Sequence, residues 1–278
     1  MGDNGDIGKL PEGVRKPGDG GGGEAIMAAS SLSSLRSWRN LHLLPFLQNP
    51  LASPKQGSLG LGRGPSGLLA QSGSLYEGVF SYCLPSFRSY YFSGSLRLGP
   101  IGQPTKIKST PLLLNPHRPS LYFVNLVGVS VGKVNVAVPP GSFDFNPQTG
   151  AGTIVDSGTV ITRFVSPAYM AIRDEFRRQV DAPSYSSLGA FDTCFTTNGG
   201  QPVTPSVTLH LAGLDLVLPV QNTLIHSSAM PLACLAMAAV PDNVNNVLNV
   251  IANYQQQNHR VLIDVANSRV GFARELCS

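Results

Sequence analysis

Short apolar runs broken by Gly, Pro, Asn and Ser make up most of the chain beyond its first 56 residues. Val207–Leu211 alternates apolar and polar residues, and Leu214–Leu218 repeats the alternation after a turn that contains Gly213. A period of two is typical of a half-buried strand, and a glycine turn between two such runs is typical of a hairpin. Val261–Val265 and Arg269–Ala273 flank a three-residue polar segment in the same way. The pattern therefore predicts two antiparallel hairpins.

Two segments depart from this alternation. Leu121–Val131 is a longer apolar run, which predicts either a pair of strands or one long bent strand. A helix is predicted after Ser166, because Ser166 can cap it and Pro167 suits its first position. Its apolar residues recur at helical spacing, at Tyr169, Ile172, Phe176 and Val180. The charged residues beside that stripe predict a solvated face: Asp174, Glu175, Arg177 and Arg178.

Composition favours an all-β fold. Gly and Pro are abundant, at 30 and 22 residues, while charged residues make up only 13% of the chain, as in turn-rich proteins. The net charge of +4 is mild and no Lys/Arg run could follow a phosphate backbone, so we expect no nucleic-acid partner. Because no apolar run approaches the roughly 20 residues that a spanning helix needs, we expect no membrane insertion either.

The first 56 residues have a different character. Gly20–Gly23 is an unbroken glycine row, and a Ser-rich stretch follows. Such a segment buries too little apolar surface to offset its ordering entropy, so residues 1–56 are predicted to be mostly disordered. Met1–Asp6 has no basic region and no apolar run follows it, so no signal peptide is recognised.

Four cysteines lie at Cys83, Cys194, Cys234 and Cys277. They form no Cys-x-x-Cys pair and no His lies at zinc-ligand spacing, so we expect no structural metal. An even number of widely spaced cysteines in a β-rich chain suggests two disulfides, and four buried thiols are the alternative. Spacing alone does not choose among the three possible pairings.

The segment Thr153–Thr159 carries the candidate chemistry. Ile154 and Val155 lead into Asp156-Ser157-Gly158-Thr159, a pattern that predicts a buried strand ending in a tight turn that holds a carboxylate. Gly158 suits such a turn because it has no Cβ, and Thr159 can donate a hydroxyl hydrogen bond to the carboxylate. From these residues alone, an Asp that merely caps its own turn is an equally good interpretation.

The surrounding sequence resembles the second catalytic motif of pepsin-like aspartic proteases, in the plant nepenthesin-like branch. The resemblance is ordered along residues 57–278 and runs through these segments: Leu59–Pro65, Phe80–Leu84, Gly152–Thr162, Phe191–Phe195, Pro205–Leu209, Asn249–Asn258 and Arg269–Ala273. It implies the C-terminal lobe of a bilobal all-β fold with one or more short helices. Residues 57–110 would be a remnant of the first lobe with inter-lobe strands, and residues 111–278 the C-terminal lobe.

The resemblance also implies an activity. In this family each lobe supplies one Asp, and the two carboxylates share a proton while they activate a water against a peptide bond. Asp156 would be the second of the pair, Gly158 and Thr159 would hydrogen-bond its carboxylate, and Ser157 would help to lock the two lobes together. The implied partner is a polypeptide substrate, no cofactor is implied, and the family location is extracellular or vacuolar.

The resemblance further implies the disulfides Cys194–Cys234 and Cys83–Cys277.

The chain departs from the family in one respect that bears on chemistry. None of its 278 residues forms a second Asp-Thr-Gly or Asp-Ser-Gly, so the sequence predicts an aspartic endopeptidase represented by one catalytic Asp and inactive alone. A non-catalytic relative that binds a glycosidase, as plant xylanase inhibitors do, is the alternative, and a fragment without function is a third. Two copies could pair their Asp156 residues, but homodimerisation is not expected because this lobe should pack against a different lobe.

Overall fold

The computed structural model describes residues 26–29, 57–87, 94–180, 182, 184–197, 203–227, 230–242 and 246–277. Its strands are, in chain order, β1 (Ile26–Ala29), β2 (Gly57–Gly60), β3 (Val79–Cys83), β4 (Ser95–Leu98), β5 (Lys108–Leu113), β6 (Phe123–Val124), β7 (Leu126–Val131), β8 (Val134–Asn135), β9 (Gly152–Asp156), β10 (Thr162–Phe164), β11 (Ser186–Leu188), β12 (Phe191–Thr196), β13 (Val207–Leu211), β14 (Leu214–Leu218), β15 (Leu224–His226), β16 (Leu232–Leu235), β17 (Met237–Ala239), β18 (Leu248–Ala252), β19 (His259–Asp264) and β20 (Arg269–Arg274). Its helices are α1 (Leu68–Ser72), α2 (Ser166–Gln179), α3 (Val220–Thr223) and α4 (Asn253–Gln256), with a 3₁₀ turn at Gly73–Tyr76.

One large mixed sheet organises the molecule. Its ten strands hydrogen-bond in the order β17-β10-β18-β9-β6-β5-β20-β19-β3-β4. Two four-stranded sheets, β11-β12-β16-β15 and β14-β13-β7-β8, accompany it, and β1 pairs with β2. Among the helices of the described residues only α2 is longer than five residues, so the all-β prediction with short helices is confirmed. No helix in the described ranges has the length and apolarity that crossing a membrane requires.

Both predicted hairpins form. β13 and β14 pair until Leu211 faces Leu214, which leaves a two-residue turn in which Gly213 has a φ of +86°, a region that glycine tolerates best. β19 and β20 pair until Asp264 faces Arg269. Their loop is one residue longer than predicted, because Val265 leaves the ladder and donates its N–H to Gly78 O.

The apolar run Leu121–Val131 is a strand pair rather than one bent strand. β6 ends at Val124, β7 begins at Leu126, and the carbonyl of Asn125 between them accepts a hydrogen bond from Ala212 N. β6 joins the large sheet, whereas β7 joins the four-stranded sheet that contains β13. The run therefore connects two layers of the fold.

Helix α2 lies where the sequence predicts it, but Ser166 does not cap it. Val165 is the N-cap residue, with φ −51° and ψ 142° and no side-chain cap, and Ser166 is already helical because the chain leaves β10 only at Val165. The apolar stripe is buried, and the helix packs against β7, β10 and β17. The charged side is not wholly solvated, since Arg177 donates hydrogen bonds to Asp192 O and Thr193 Oγ1.

The predicted disordered segment, residues 1–56, lies outside the described residues except for β1. That strand pairs antiparallel with β2, from Ile26 facing Gly60 to Ala29 facing Gly57. Within residues 57–110, β3 pairs with β19 and β5 pairs with β20, so this segment shares the large sheet with the rest of the chain. The predicted boundaries at 56/57 and 110/111 stay a prediction.

Candidate active site

Asp156 is the last residue of β9, a strand deep inside the large sheet. β9 lies between β18, which runs parallel to it, and β6, which runs antiparallel. Thr153, Ile154 and Val155 are buried, whereas Asp156 is only half-buried. Because the strand ends at the point where burial ends, the Asp156 carboxylate lies at the surface while its backbone is anchored in the core.

The turn after Asp156 binds its carboxylate at both oxygens. Gly158 N donates to Oδ1 at 2.8 Å, and Thr159 Oγ1 donates to Oδ2 at 2.6 Å. These are the two hydrogen bonds that the resemblance implies for Gly158 and Thr159, and the catalytic role of Asp156 stays a prediction. Gly158 does not take a positive φ, so its contribution here is the close N–H group rather than a left-handed backbone.

A second segment clamps this turn from the side. Ala252, at the end of β18, faces Asp156 across the parallel ladder. The next residue, Asn253, donates its N–H to Thr159 O at 2.8 Å and its side-chain amide to Ser157 O at 3.0 Å. Tyr254 N donates to Val160 O at 3.0 Å. Three hydrogen bonds from two consecutive residues therefore hold the turn that carries the carboxylate.

Buried glutamines support the clamp, and sequence reasoning noted them only as part of a family motif. Gln255 accepts a hydrogen bond from Thr162 N and donates to the carbonyls of Asn222 and Ala236. Gln256 donates to Ile251 O at 2.7 Å. Buried amides are costly unless they are hydrogen-bonded. A Gln-Gln-Gln run two residues after an apolar strand is the sequence signal that could have indicated this network.

Tyr82 on β3 is a further neighbour of the site that sequence reasoning missed. It is buried, and its hydroxyl donates to Gln256 Oε1 at 2.5 Å. Burial raises the pKa of the Tyr82 phenol, the negative charge of Asp156 raises it further, and the nearby Ser157 hydroxyl acts in the opposite direction. The phenol is therefore neutral and lies close to both Asp156 and Ser157.

The carboxylate stands alone among the described residues. In that part of the chain no Asp or Glu shares a hydrogen bond or ion pair with Asp156; its bonds come from Gly158 and Thr159. The same ranges contain no group of three His, Cys, Asp or Glu side chains that could hold a metal ion. A surface cavity of about 460 Å³ lies elsewhere, lined among others by Arg163, Tyr169 and Asp192, so it is not part of the Asp156 site.

Two disulfides link distant segments of the chain. Cys194 and Cys234 face each other across β12 and β16 and are bonded. Cys83, at the end of β3, is bonded to Cys277 beyond β20. These are the two pairs that the resemblance implied. The second one fastens the strand that carries Tyr82 to the end of the chain.

A Ser-His-Asp cluster on the outer face of the β14-β13-β7-β8 sheet needs separate consideration. Ser130 Oγ lies 2.6 Å from His210 Nε2, and His210 Nδ1 lies 2.7 Å from Asp215 Oδ1. A nucleophilic serine must give its proton to the histidine, but the Ser130 hydroxyl donates to Asn135 Oδ1 instead. Ser130 is also buried and is paired with Asn135 on one side and Thr208 on the other. The cluster therefore fits a structural cross-strand link rather than a hydrolytic site.

Comparison with known proteins agrees with the geometry. Residues 121–274 match the family model described as "Xylanase inhibitor C-terminal". Aspartyl protease 25 of Oryza sativa subsp. japonica is 68% identical over 232 residues, which cover 81% of this chain and 52% of the rice protein. Aspartyl protease AED3 of Arabidopsis thaliana is 64% identical, covering 81% and 50%. Nepenthesin-1 of Nepenthes gracilis is 36% identical, covering 80% and 50%.

Solved structures show the same fold at low identity. The crystal structure of edgp superimposes with a TM-score of 0.69 at 23% identity, covering 82% of this chain and 62% of that one. Conglutin gamma, a basic 7S globulin from lupine seeds, gives a TM-score of 0.63 at 21% identity, covering 81% and 59%. The chain spans about half the length of the curated relatives it matches. It therefore belongs to the xylanase inhibitor C-terminal family and groups with the plant aspartyl proteases that include the nepenthesins.

Proposed function

We propose that this chain carries the second catalytic aspartate of an aspartic endopeptidase, and that Asp156 is that residue. One observation carries the proposal: the half-buried carboxylate at the end of a core strand is bound by Gly158 N–H at one oxygen and by the Thr159 hydroxyl at the other. A carboxylate oxygen can accept more than one hydrogen bond. Each oxygen of Asp156 therefore keeps acceptor capacity for a water and for a proton shared with a second carboxylate.

The chemistry needs that second carboxylate. One carboxylate, ionised, takes a proton from the water that attacks the peptide carbonyl, while the other, protonated, donates a hydrogen bond to the carbonyl oxygen. Two carboxylates a few ångström apart favour this singly protonated state because both cannot easily ionise. In the proposal Asp156 supplies one of them, Gly158 and Thr159 fix its orientation, and the other comes from a first lobe whose Asp-Thr-Gly motif these 278 residues lack.

The experiment that tests this proposal adds a first lobe from a related protein. The chain is mixed with the separately produced first half of rice Aspartyl protease 25, and cleavage of a denatured polypeptide is measured between about pH 3 and pH 5, where one of two neighbouring carboxylates is ionised. We expect cleavage by the mixture that a statine-type inhibitor blocks and that Asp156→Asn abolishes. Asp144→Asn is the matched control, because Asp144 is exposed in the loop before β9 and, among the described residues, its side chain makes no hydrogen bond to the Asp156 turn; it should leave cleavage unchanged.

Size-exclusion chromatography of the mixture establishes whether the two halves associate. An associated complex that cleaves nothing would contradict the proposal, as would cleavage that survives Asp156→Asn. Cleavage by the chain alone, with a rate that rises with the square of its concentration, would mean that two copies combine their Asp156 residues, which contradicts the expectation of no homodimer.

A non-catalytic binding protein is the second candidate, and the description of the matching family model favours it. Such a protein would bind a xylanase or another glycosidase through surface loops and would not need the Asp156 turn. The intact hydrogen bonds of that turn favour the protease. An endoxylanase inhibition assay separates the two candidates, because an inhibitor would act equally well with Asp156→Asn. Secretion, which the disulfides favour, is proposed for either candidate.

A further inference from the structure

We propose that Tyr82 is a positioning residue for Asp156: bound to Gln256, it holds the segment that clamps the Asp156 turn. The inference rests on the proposed function, because it assigns Tyr82 a role at the same carboxylate. It goes beyond that function in placing control of the site on β3, a strand that lies 174 residues before Gln256 along the chain.

A path of hydrogen bonds joined by short backbone segments leads from Tyr82 to the turn. The Tyr82 hydroxyl donates to Gln256 Oε1, and Gln256 Nε2 donates to Ile251 O, which precedes the residue that faces Asp156. Gln256 is also the last residue of α4, the turn that begins with Asn253. Asn253 in turn holds the carbonyls of Ser157 and Thr159. Every amide in the path is buried or partly buried, where hydrogen bonds are strong and unpaired groups are costly.

Tyr82 also interacts electrostatically with the carboxylate. The Asp156 charge and the Ser157 hydroxyl are both close enough to alter the pKa of the phenol, and burial keeps the phenol neutral. A neutral donor can hold Gln256 without adding a charge that would compete for the Asp156 carboxylate. Tyr82 is nearly inaccessible, at 4% exposure, so it does not contact a substrate and acts through the turn.

Tyr122 provides a matched control. It is also buried at 4% exposure, and its hydroxyl likewise donates to an uncharged oxygen at 2.5 Å, here Leu61 O. Burial raises the pKa of Tyr122 as well, and its charged neighbour is Arg63 rather than Asp156. Tyr82→Phe and Tyr122→Phe therefore remove the same group from similarly buried positions. The two phenols interact electrostatically, but only the Tyr82 hydroxyl is hydrogen-bonded to the path that leads to the turn.

The experiment measures amide hydrogen exchange and amide NMR shifts in the whole chain. Tyr82→Phe should speed exchange at Tyr254 N, which donates to Val160 O, by about 5- to 10-fold, the factor expected for one lost net hydrogen bond. Exchange at Leu209 in β13 should not change. Gly158 N donates to Asp156 Oδ1, so its amide shift reports directly on the geometry of the turn. At one fixed pH that shift should differ from the wild type in Tyr82→Phe.

Tyr122→Phe should leave the Tyr254 exchange and the Gly158 amide shift as in the wild type. If Tyr82→Phe does not fold, Gln256→Met breaks the same path from its other end and should give the same two changes. Unchanged readouts in the folded variant, or equal changes in Tyr122→Phe, would overturn the inference. Cleavage is not among these readouts, so a failed positioning role and a failed protease assignment are distinguishable.

Discussion

Replacing threonine with valine should have opposite effects on stability at the two ends of one short segment, Thr153 and Thr159. Thr159 donates its hydroxyl to Asp156 Oδ2 at 2.6 Å. Thr153, in the buried part of β9, has a hydroxyl oxygen with no hydrogen-bond partner in the described part of the structure. Valine replaces the hydroxyl with a methyl group of similar size. Thr159→Val should therefore lower the free energy of unfolding, whereas Thr153→Val should maintain or raise it.

The magnitudes follow from the two environments. A hydrogen bond to a charged group contributes about 1.5–3 kcal/mol, and because Thr159 and Asp156 are only half-buried we expect about 1–2 kcal/mol after solvent screening. For Thr153, which is fully buried, an unpaired polar group costs about 1–3 kcal/mol. Part of that cost is recovered with valine, so Thr153→Val should be between neutral and about 1 kcal/mol more stable.

Urea unfolding of the disulfide-intact chain at neutral pH measures both variants against the wild type. Thr159→Val should also be tested in the Asp156→Asn background, where the acceptor is uncharged and the cost should be smaller. Equal losses in Thr159→Val and Thr153→Val would refute the reasoning. So would a Thr159→Val cost that does not change when Asp156 is replaced, because the bond would then not be the cause.

Three further predictions concern other parts of the fold. Cys83→Ser with Cys277→Ser opens a loop of 194 residues and should lower the free energy of unfolding by up to about 5 kcal/mol in the chain-entropy model, measured by urea unfolding. A fluorophosphonate probe should leave Ser130 unlabelled in intact-mass and peptide mass spectrometry, since its proton is directed to Asn135; labelling would restore the hydrolytic interpretation. The hydrogen bonds from buried Arg260 hold the pKa of Glu275 below its usual value. Glu275→Gln should therefore lower the free energy of unfolding by its full amount at neutral pH. The difference from the wild type should shrink as pH falls below about 4, through the lowered pKa of Glu275. A difference that stays constant across pH would contradict this.

Local patterns predicted the elements whose cause is local. The hairpin at Gly213 follows from two alternating runs and a glycine that can take positive φ. Helix α2 follows from its apolar stripe, of which Tyr169, Ile172 and Phe176 are buried. Its first residue was less accurately predicted, because the geometry of Val165, not the side chain of Ser166, sets where the helix begins.

The surroundings of Asp156 were predictable only up to its own turn. Gly158 and Thr159 lie within three residues of the carboxylate, so the motif itself carries their positions. Asn253 reaches the turn from about a hundred residues further along, and Tyr82 reaches Gln256 across 174 residues. The periodicity of the sequence does not predict contacts between residues so far apart along the chain. They depend on the order of strands in the large sheet, which places β18 beside β9 and β3 beside β19.

Orienting the Asp156 carboxylate and using it in catalysis therefore require different groups. The residues that orient it belong to this chain: two donors in its own turn and a clamp that begins at Asn253. Sharing a proton requires a second carboxylate close by, and none is hydrogen-bonded to Asp156 in the ranges that the structure describes. If this separation is correct, the chain should bind its first lobe with the Asp156 turn already formed. Amide exchange at Tyr254, which donates to Val160 O, should then change little on association, while cleavage appears only in the complex.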